Sequence, residues 1–256
     1  MKDNNPIIFA GDDPQSTVIF AAGQLQGDRG KQEDRVGYFR DECFALADGV
    51  GGMPHGDVAA ELAVETALWG YQQIRLRPTY WLDKRNFMRR IFRTTNIRVW
   101  QKRKEAGFGE GLAATLVVLL VGSKNMWVGT VGDSSAYLYR EGLIAELTRE
   151  DSDESGFLTD AVGVRRFGIP PHVAGEPFLT GDIAVLMSDG VAQHVGEEEL
   201  RTHLTESGVT KQSLSDAVVR ILNAARRNGS TDNMSAILVK RISLPSASGS
   251  RPPHLV

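Results

Sequence analysis

The 256-residue chain has a single cysteine, Cys43. One thiol forms no disulfide within the chain and supplies no thiolate cluster, so a disulfide scaffold and a structural zinc site are set aside and a reducing compartment is expected. Long apolar runs are also missing. The longest nearly apolar stretch, Leu112 to Val121, falls well short of the roughly 20 residues that cross a bilayer. Nor is there an excess of either charge: 29 Lys and Arg against 32 Asp and Glu leave a net charge of -3, with no basic footprint for nucleic acid. Met1 to Asp13 lacks the basic start and long apolar core of an export signal. The expectation is a soluble, cytoplasmic, monomeric protein with no membrane or nucleic-acid partner.

What is present is a globular composition from about Ser16 to Ser243, without internal repeats. We therefore expect one domain over residues 17–242. Residues 1–16 read as an arm or an edge strand, since Ile7 to Ala10 is the only apolar stretch there. Residues 243–256 (Ser, Pro and Gly-rich) read as a disordered tail, too poor in apolar side chains to offset the entropy of ordering. Strand-like segments are Thr17–Ala22, Arg35–Phe39, Cys43–Ala47, Ala114–Val121, Met126–Val131, Ala136–Tyr139, Ile183–Met187 and Ser235–Val239. Helical spacing marks Asp57–Gln73, Leu82–Lys104, Glu197–Thr205 and Leu214–Arg226. Strands outnumber helices and do not alternate with them one for one, which points to an α+β fold of two packed antiparallel sheets flanked by helices. Trp69, Trp81, Trp100 and Trp127 are expected to anchor the core.

The aspartates carry the chemistry. Asp34 begins a strand, while Asp48, Asp133 and Asp189 each end an apolar segment beside glycine, in FALADGVGG, VGTVGDSS and VLMSDGV; Asp232 lies in GSTDN before the last strand. A single Asp-Gly is ordinarily a turn. Five carboxylates at strand ends, gathered in one mouth, would repel one another unless cations neutralised them. All candidate ligands are oxygens, which favours Mg²⁺ or Mn²⁺ over zinc or copper. Two such ions roughly 3.5 to 4 Å apart can acidify a water and stabilise charge on a phosphoryl group, so no side-chain nucleophile is needed. Cys43 has no basic neighbour, and Ser134, Ser135 and Ser188 have no evident histidine base.

RGKQED (29–34), ADGVGG (47–52), GLAATLV (111–117), GTVGDSSAYL (129–138), LTRED (147–151), LTDAVG (158–163), MSDGV (187–191) and GSTDN (229–233) follow in order the motif series of the metal-dependent type 2C serine/threonine protein phosphatases, which the chain resembles over about residues 17–240. The resemblance implies an α-β-β-α sandwich holding two Mg²⁺ or Mn²⁺ ions. It also implies hydrolysis of phosphoserine and phosphothreonine on proteins by a water or hydroxide between the ions, in opposition to a kinase. By position, Asp48 resembles the carboxylate shared by both ions, with the Gly49 carbonyl on one of them, and Asp189 and Asp232 resemble ligands of the other. Asp34 and Glu33 match the acidic pair that reaches the ions partly through water, and Arg29 matches the phosphate-binding arginine.

Several positions depart from that pattern. Gln32 stands where many relatives have Asn. Val50 stands where some have a histidine acid, for which His55 is the nearby substitute if it is not simply exposed at a helix start. Asp133 matches a ligand of a third ion, but Gln193 replaces a carboxylate expected there, so that ion should bind weakly. Between LTRED and LTDAVG only Ser152 to Phe157 intervene, so the flap of many bacterial relatives is reduced or absent. A more open site would then select substrates through other surfaces, such as the helix bearing Arg89, Arg90, Arg93 and Arg98, unless that is a solvated face. Two alternatives stay open: a catalytically weak phosphoprotein-binding regulator on the same fold, and a hydrolase of small phosphoesters.

Overall fold

A computed structural model describes residues 6–11, 16–51, 54–77, 83–108, 111–151, 153 and 158–243. Its strands are β1 (Ile7–Ala10), β2 (Val18–Leu25), β3 (Arg35–Phe39), β4 (Cys43–Ala47), β5 (Leu116–Val121), β6 (Asn125–Val131), β7 (Ser135–Arg140), β8 (Leu143–Glu146), β9 (His172–Pro177), β10 (Ile183–Met187) and β11 (Met234–Arg241). The helices are α1 (Gly56–Ile74), α2 (Lys84–Arg103), α3 (Asp189–Ala192), α4 (Glu197–Thr205) and α5 (Lys211–Arg227). One sheet runs β1-β2-β11-β10-β7-β8 and the other β3-β4-β5-β6-β9, with every pairing antiparallel.

The inner strands are apolar on both faces because each sheet is covered on both faces there. Successive side chains point to opposite sides. In β4, Cys43, Ala45 and Ala47 pack under α1 and α2, while Phe44 and Leu46 enter the layer between the sheets. In β10, Ile183, Val185 and Met187 face α5, while Ala184 and Leu186 face inward. Small residues on the helix side let α1 lie close to its sheet, whereas the inter-sheet layer takes larger groups such as Phe20, Phe44 and Phe178. The stripe read in the last long helix, Leu214, Ala217, Val218, Ile221 and Leu222, is wholly buried against β2 and β11. That helix starts earlier than its spacing suggested, because Thr210 and Ser213 cap it reciprocally. Asp83 caps α2 by accepting from the Asn86 N–H at 2.9 Å.

Ile7–Ala10 pairs with Ala21–Gln24 as an edge strand. Two other edge strands, β8 and β9, and the short α3 carried no sequence signal. Between β8 and β9 no helix or further strand occurs among the described residues, in keeping with a reduced flap; Ser152 and Glu154–Phe157 lie outside the described residues, as do Leu82, Trp81 and the tail from residue 244. The tryptophan expectation needs correction. Trp127 packs on the core, but Trp69 is 55% exposed, and Trp100 is half-buried beneath Lys104 and Arg166. Arg89, Arg90, Arg93 and Arg98 are all exposed on α2, as a solvated helix face requires.

Candidate metal centre

The ends of β4, β6 and β10 and the turns beside them open onto one pocket of about 300 Å³, lined among others by Arg29, Glu33, Asp48, Gly49, Asp133, Asp189 and Asp232. Seven of the eight residues singled out from the sequence therefore share a cavity contributed by segments more than 200 positions apart. The eighth, Asp34, is fully buried and donates no surface to it; its Oδ2 accepts from Ser188 Oγ at 2.9 Å.

Local chemistry holds these groups in place. The Asp48 N–H donates to Thr115 Oγ1 at 2.9 Å, and Thr115 N–H donates to the Asp48 carbonyl at 2.8 Å. Thr115 Oγ1 in turn lies 2.8 Å from Ser134 Oγ. Asn233, 3% exposed, accepts from Glu33 N–H at 2.7 Å and donates to the carbonyls of Gln26 and Lys31, tying the loop that carries Arg29 to the start of β11. Thr115 and Asn233 were not recognised as site residues from sequence, although both fall inside quoted motifs. Gly49 must be glycine, since a Cβ there would land on the backbone of Gly56 at the head of α1.

The electrostatics are those of crowded anions. Burial, followed by the charges of Asp34 and Asp189, pushes the Asp48 carboxyl well above its ordinary range. Burial raises Asp34 to about 6 against the opposing hydrogen bonds from Ser235 and Ser188, and it raises Asp133 to about 6 with Asp189 adding to the effect. Asp189 and Glu33 are raised as well, again chiefly by burial. Arg29 brings a positive charge to the rim, its guanidinium 2.5 Å from Asp232 Oδ2.

Do these residues fit a pair of hard cations? Among the described residues Asp34 Oδ1 and Asp189 Oδ1 are buried with no hydrogen-bond partner, a costly state that a bound cation would relieve. The lining groups offer oxygen donors only. Among the described residues no three His, Cys, Asp or Glu side chains already close on one point as a finished cage. The donor set fits Mg²⁺ or Mn²⁺, and the carboxylates would draw inward on binding.

Other expectations resolve differently. His55 does not line the pocket; its Nε2 lies 3.1 Å from the Gly107 carbonyl and its ring packs on Phe108, so it is no substitute acid. Gln193 is exposed beyond α3 and does not line the pocket with Asp133. Cys43 is fully buried and its thiol is pushed up by burial, an inert core group. Ser134, Ser135 and Ser188 are buried structural hydroxyls.

A pH effect follows from the raised carboxyls. Each binds its proton more tightly folded than unfolded, so the resulting stability is complete below the unfolded value of 3.8 and is lost as pH rises through about 6. In chelator, the melting temperature is expected to fall between pH 5 and 7, and saturating Mn²⁺ should abolish that fall. A flat profile in chelator would contradict the crowding.

The protein phosphatase 2C family model matches residues 30–239. The serine/threonine phosphatase stp of Listeria welshimeri is 25% identical over 244 residues, covering 85% of this chain and 95% of its own. The catalytic domain of the phosphatase PstP, solved with two manganese ions, superposes with a TM-score of 0.74 at 24% identity, covering 87% and 97% of the two chains. PppA of Pseudomonas aeruginosa, described as a regulatory component of the type VI secretion system, gives 0.74 at 25% identity, with 88% and 98% covered. The matched span holds the whole five-stranded sheet, the flanking helices and every carboxylate of the pocket, and the chain belongs to the protein phosphatase 2C family.

Proposed function

We propose that this chain is a serine/threonine protein phosphatase that hydrolyses phosphoserine and phosphothreonine on proteins with the help of two Mn²⁺ or Mg²⁺ ions. The observation that carries the reading is the gathering of Glu33, Asp48, Asp133, Asp189 and Asp232 with Arg29 around one opening, with buried carboxylate oxygens that find no hydrogen-bond partner among the described residues. Asp48 and the Gly49 carbonyl would hold one ion, and Asp48, Asp189 and Asp232 the other, with Glu33 and Asp34 behind them. When bound, such ions supply an acidified water and stabilise charge on the phosphoryl oxygens. The names of the relatives support the reaction, and the manganese of PstP supports the cofactor. A third ion would be the weakest held, since Asp133 lines the pocket without a second carboxylate from position 193. The catalytic unit is taken as residues 17–242, acting as a cytoplasmic monomer against a serine/threonine kinase.

Arg29 is the substrate's anchor. Its side chain is half-exposed at the pocket rim and paired with Asp232; if Asp232 served as a metal ligand, the guanidinium would be available to grip two phosphoryl oxygens. A lysine keeps the charge but not the fork. Arg29→Lys is expected to lower kcat/KM for a phosphothreonine peptide by roughly tenfold to a hundredfold, and unchanged kinetics would remove Arg29 from the site. The function itself is tested by incubating the purified protein with Mn²⁺ and a phosphothreonine peptide. Phosphate release that chelator stops is expected, and an inert protein in both Mn²⁺ and Mg²⁺ would overturn the reading.

A further inference from the structure

The loop leaving the metal pocket carries a second surface. Leu158 lines the pocket, Val162 bridges to Ala114, and Ala114 bridges on to Gly49. At ordinary strand spacing Val162 therefore sits about 10 Å from Gly49. Beyond it, residues 164–168 are all exposed, yet their backbone is firmly held. Asn96 of α2, 4% exposed, accepts from the Gly163 N–H at 2.8 Å and donates to the carbonyls of Arg165 and Arg166 at 2.9 and 3.1 Å. Arg103 donates to the carbonyls of Gly163 and Val164 at 3.2 and 2.7 Å. Gly163 permits this path with φ at +94°. A loop anchored in this way loses little further freedom when a ligand lands on it.

The surface it presents combines positive charge with apolar area. Phe167 is 57% and Val164 41% exposed. The Arg166 guanidinium lies 4.9 Å from the Phe167 ring centre and 5.3 Å from that of Trp100, and Lys104 Nζ lies 5.2 Å from the Trp100 ring. Arg165 is paired with Asp160, but among the described residues neither Arg166 nor Lys104 has a carboxylate partner. Exposed apolar groups beside uncompensated cations are complementary to a segment that alternates carboxylates with an apolar side chain.

We propose that Val164, Arg166, Phe167 and Lys104 dock the substrate, recognising an acidic stretch with one apolar residue on the phosphoprotein. The proposal rests on the phosphatase reading above. Arg166 is four positions beyond Val162, so the surface lies within about 25 Å of Gly49, and an extended substrate reaches it within about seven residues of its phosphoryl group.

The test uses one phosphothreonine peptide with Asp, Glu and Leu placed up to seven positions to either side, a second with Gln at every acidic position, and an aryl phosphate. The wild type is expected to prefer the acidic peptide by roughly tenfold in kcat/KM. Arg166→Glu and Phe167→Ala should erase that preference while leaving aryl phosphate hydrolysis unchanged. Fluorescence anisotropy of the labelled, unphosphorylated acidic peptide reads docking without catalysis, and Arg166→Glu should weaken that binding roughly tenfold. Equal kcat/KM for the acidic and neutral peptides, or equal anisotropy for wild type and Arg166→Glu, would overturn the proposal. Binding that responds to Arg166→Glu in a protein inert toward every phosphoester would support the docking surface while sinking the phosphatase reading.

Discussion

Asp189→Asn is expected to lower phosphatase activity by roughly a thousandfold while leaving the fold intact. Asparagine keeps the shape of the side chain but removes one anion from a site whose cations contribute several kcal/mol to the transition state, and each 1.36 kcal/mol is tenfold in rate. The metal-free protein should respond in the opposite direction. Asp189 Oδ1 is buried without a partner among the described residues, and burial, with repulsion from Asp232, raises its carboxyl against an opposing hydrogen bond with Asp48, so neutralising it removes a strain. The melting temperature in chelator is therefore expected to stay level or rise, while the increase produced by Mn²⁺ in the wild type shrinks. Loss of activity accompanied by a large drop in metal-free stability would mean that Asp189 is a structural residue.

The second large effect concerns the layer between the sheets. Phe44 is fully buried there, with its ring edge-on to Phe20 at 4.9 Å between centres, and it lies in the strand that delivers Asp48. Phe44→Ala should cost about 3–5 kcal/mol of unfolding free energy, because the two sheets cannot close around the lost ring. Urea unfolding of the Mn²⁺-loaded protein should show a lower midpoint with an unchanged slope. A loss below about 1 kcal/mol would mean that this layer is less tightly packed than described.

The site was legible in the sequence wherever an apolar strand runs directly into an Asp-Gly or Gly-Asp step. FALADG, VGTVGD and VLMSDG each join a buried strand to a carboxylate, and all three carboxylates line the pocket. The twofold alternation that would ordinarily mark a strand is absent from β5 (LVVLLV) and β10 (IAVLM) because both sheet faces are covered, so those strands read as continuous apolar runs. Strands β8 and β9 escaped notice for the opposite reason. As edge strands with mixed exposure, LIAE and HVAGEP carry neither an apolar run nor alternation. Trp69 was misjudged because its helical spacing from Leu62 looks like a core stripe, whereas that face of α1 turns toward an open groove shared with α2. The ion pair of Arg29 with Asp232 joins positions 203 apart, and only the assembled sandwich brings them together. The same holds for Asn233 and Thr115, whose roles consist of hydrogen bonds to backbone that lies far away in sequence.

The most direct measurement is anomalous diffraction at the manganese edge from crystals grown with Mn²⁺. The account predicts two strong peaks in the pocket, both in contact with Asp48, with Asp189 and Asp232 on one of them, and a weaker peak or none at Asp133. A pocket without manganese, or peaks held by other side chains while these carboxylates remain apart, would contradict it.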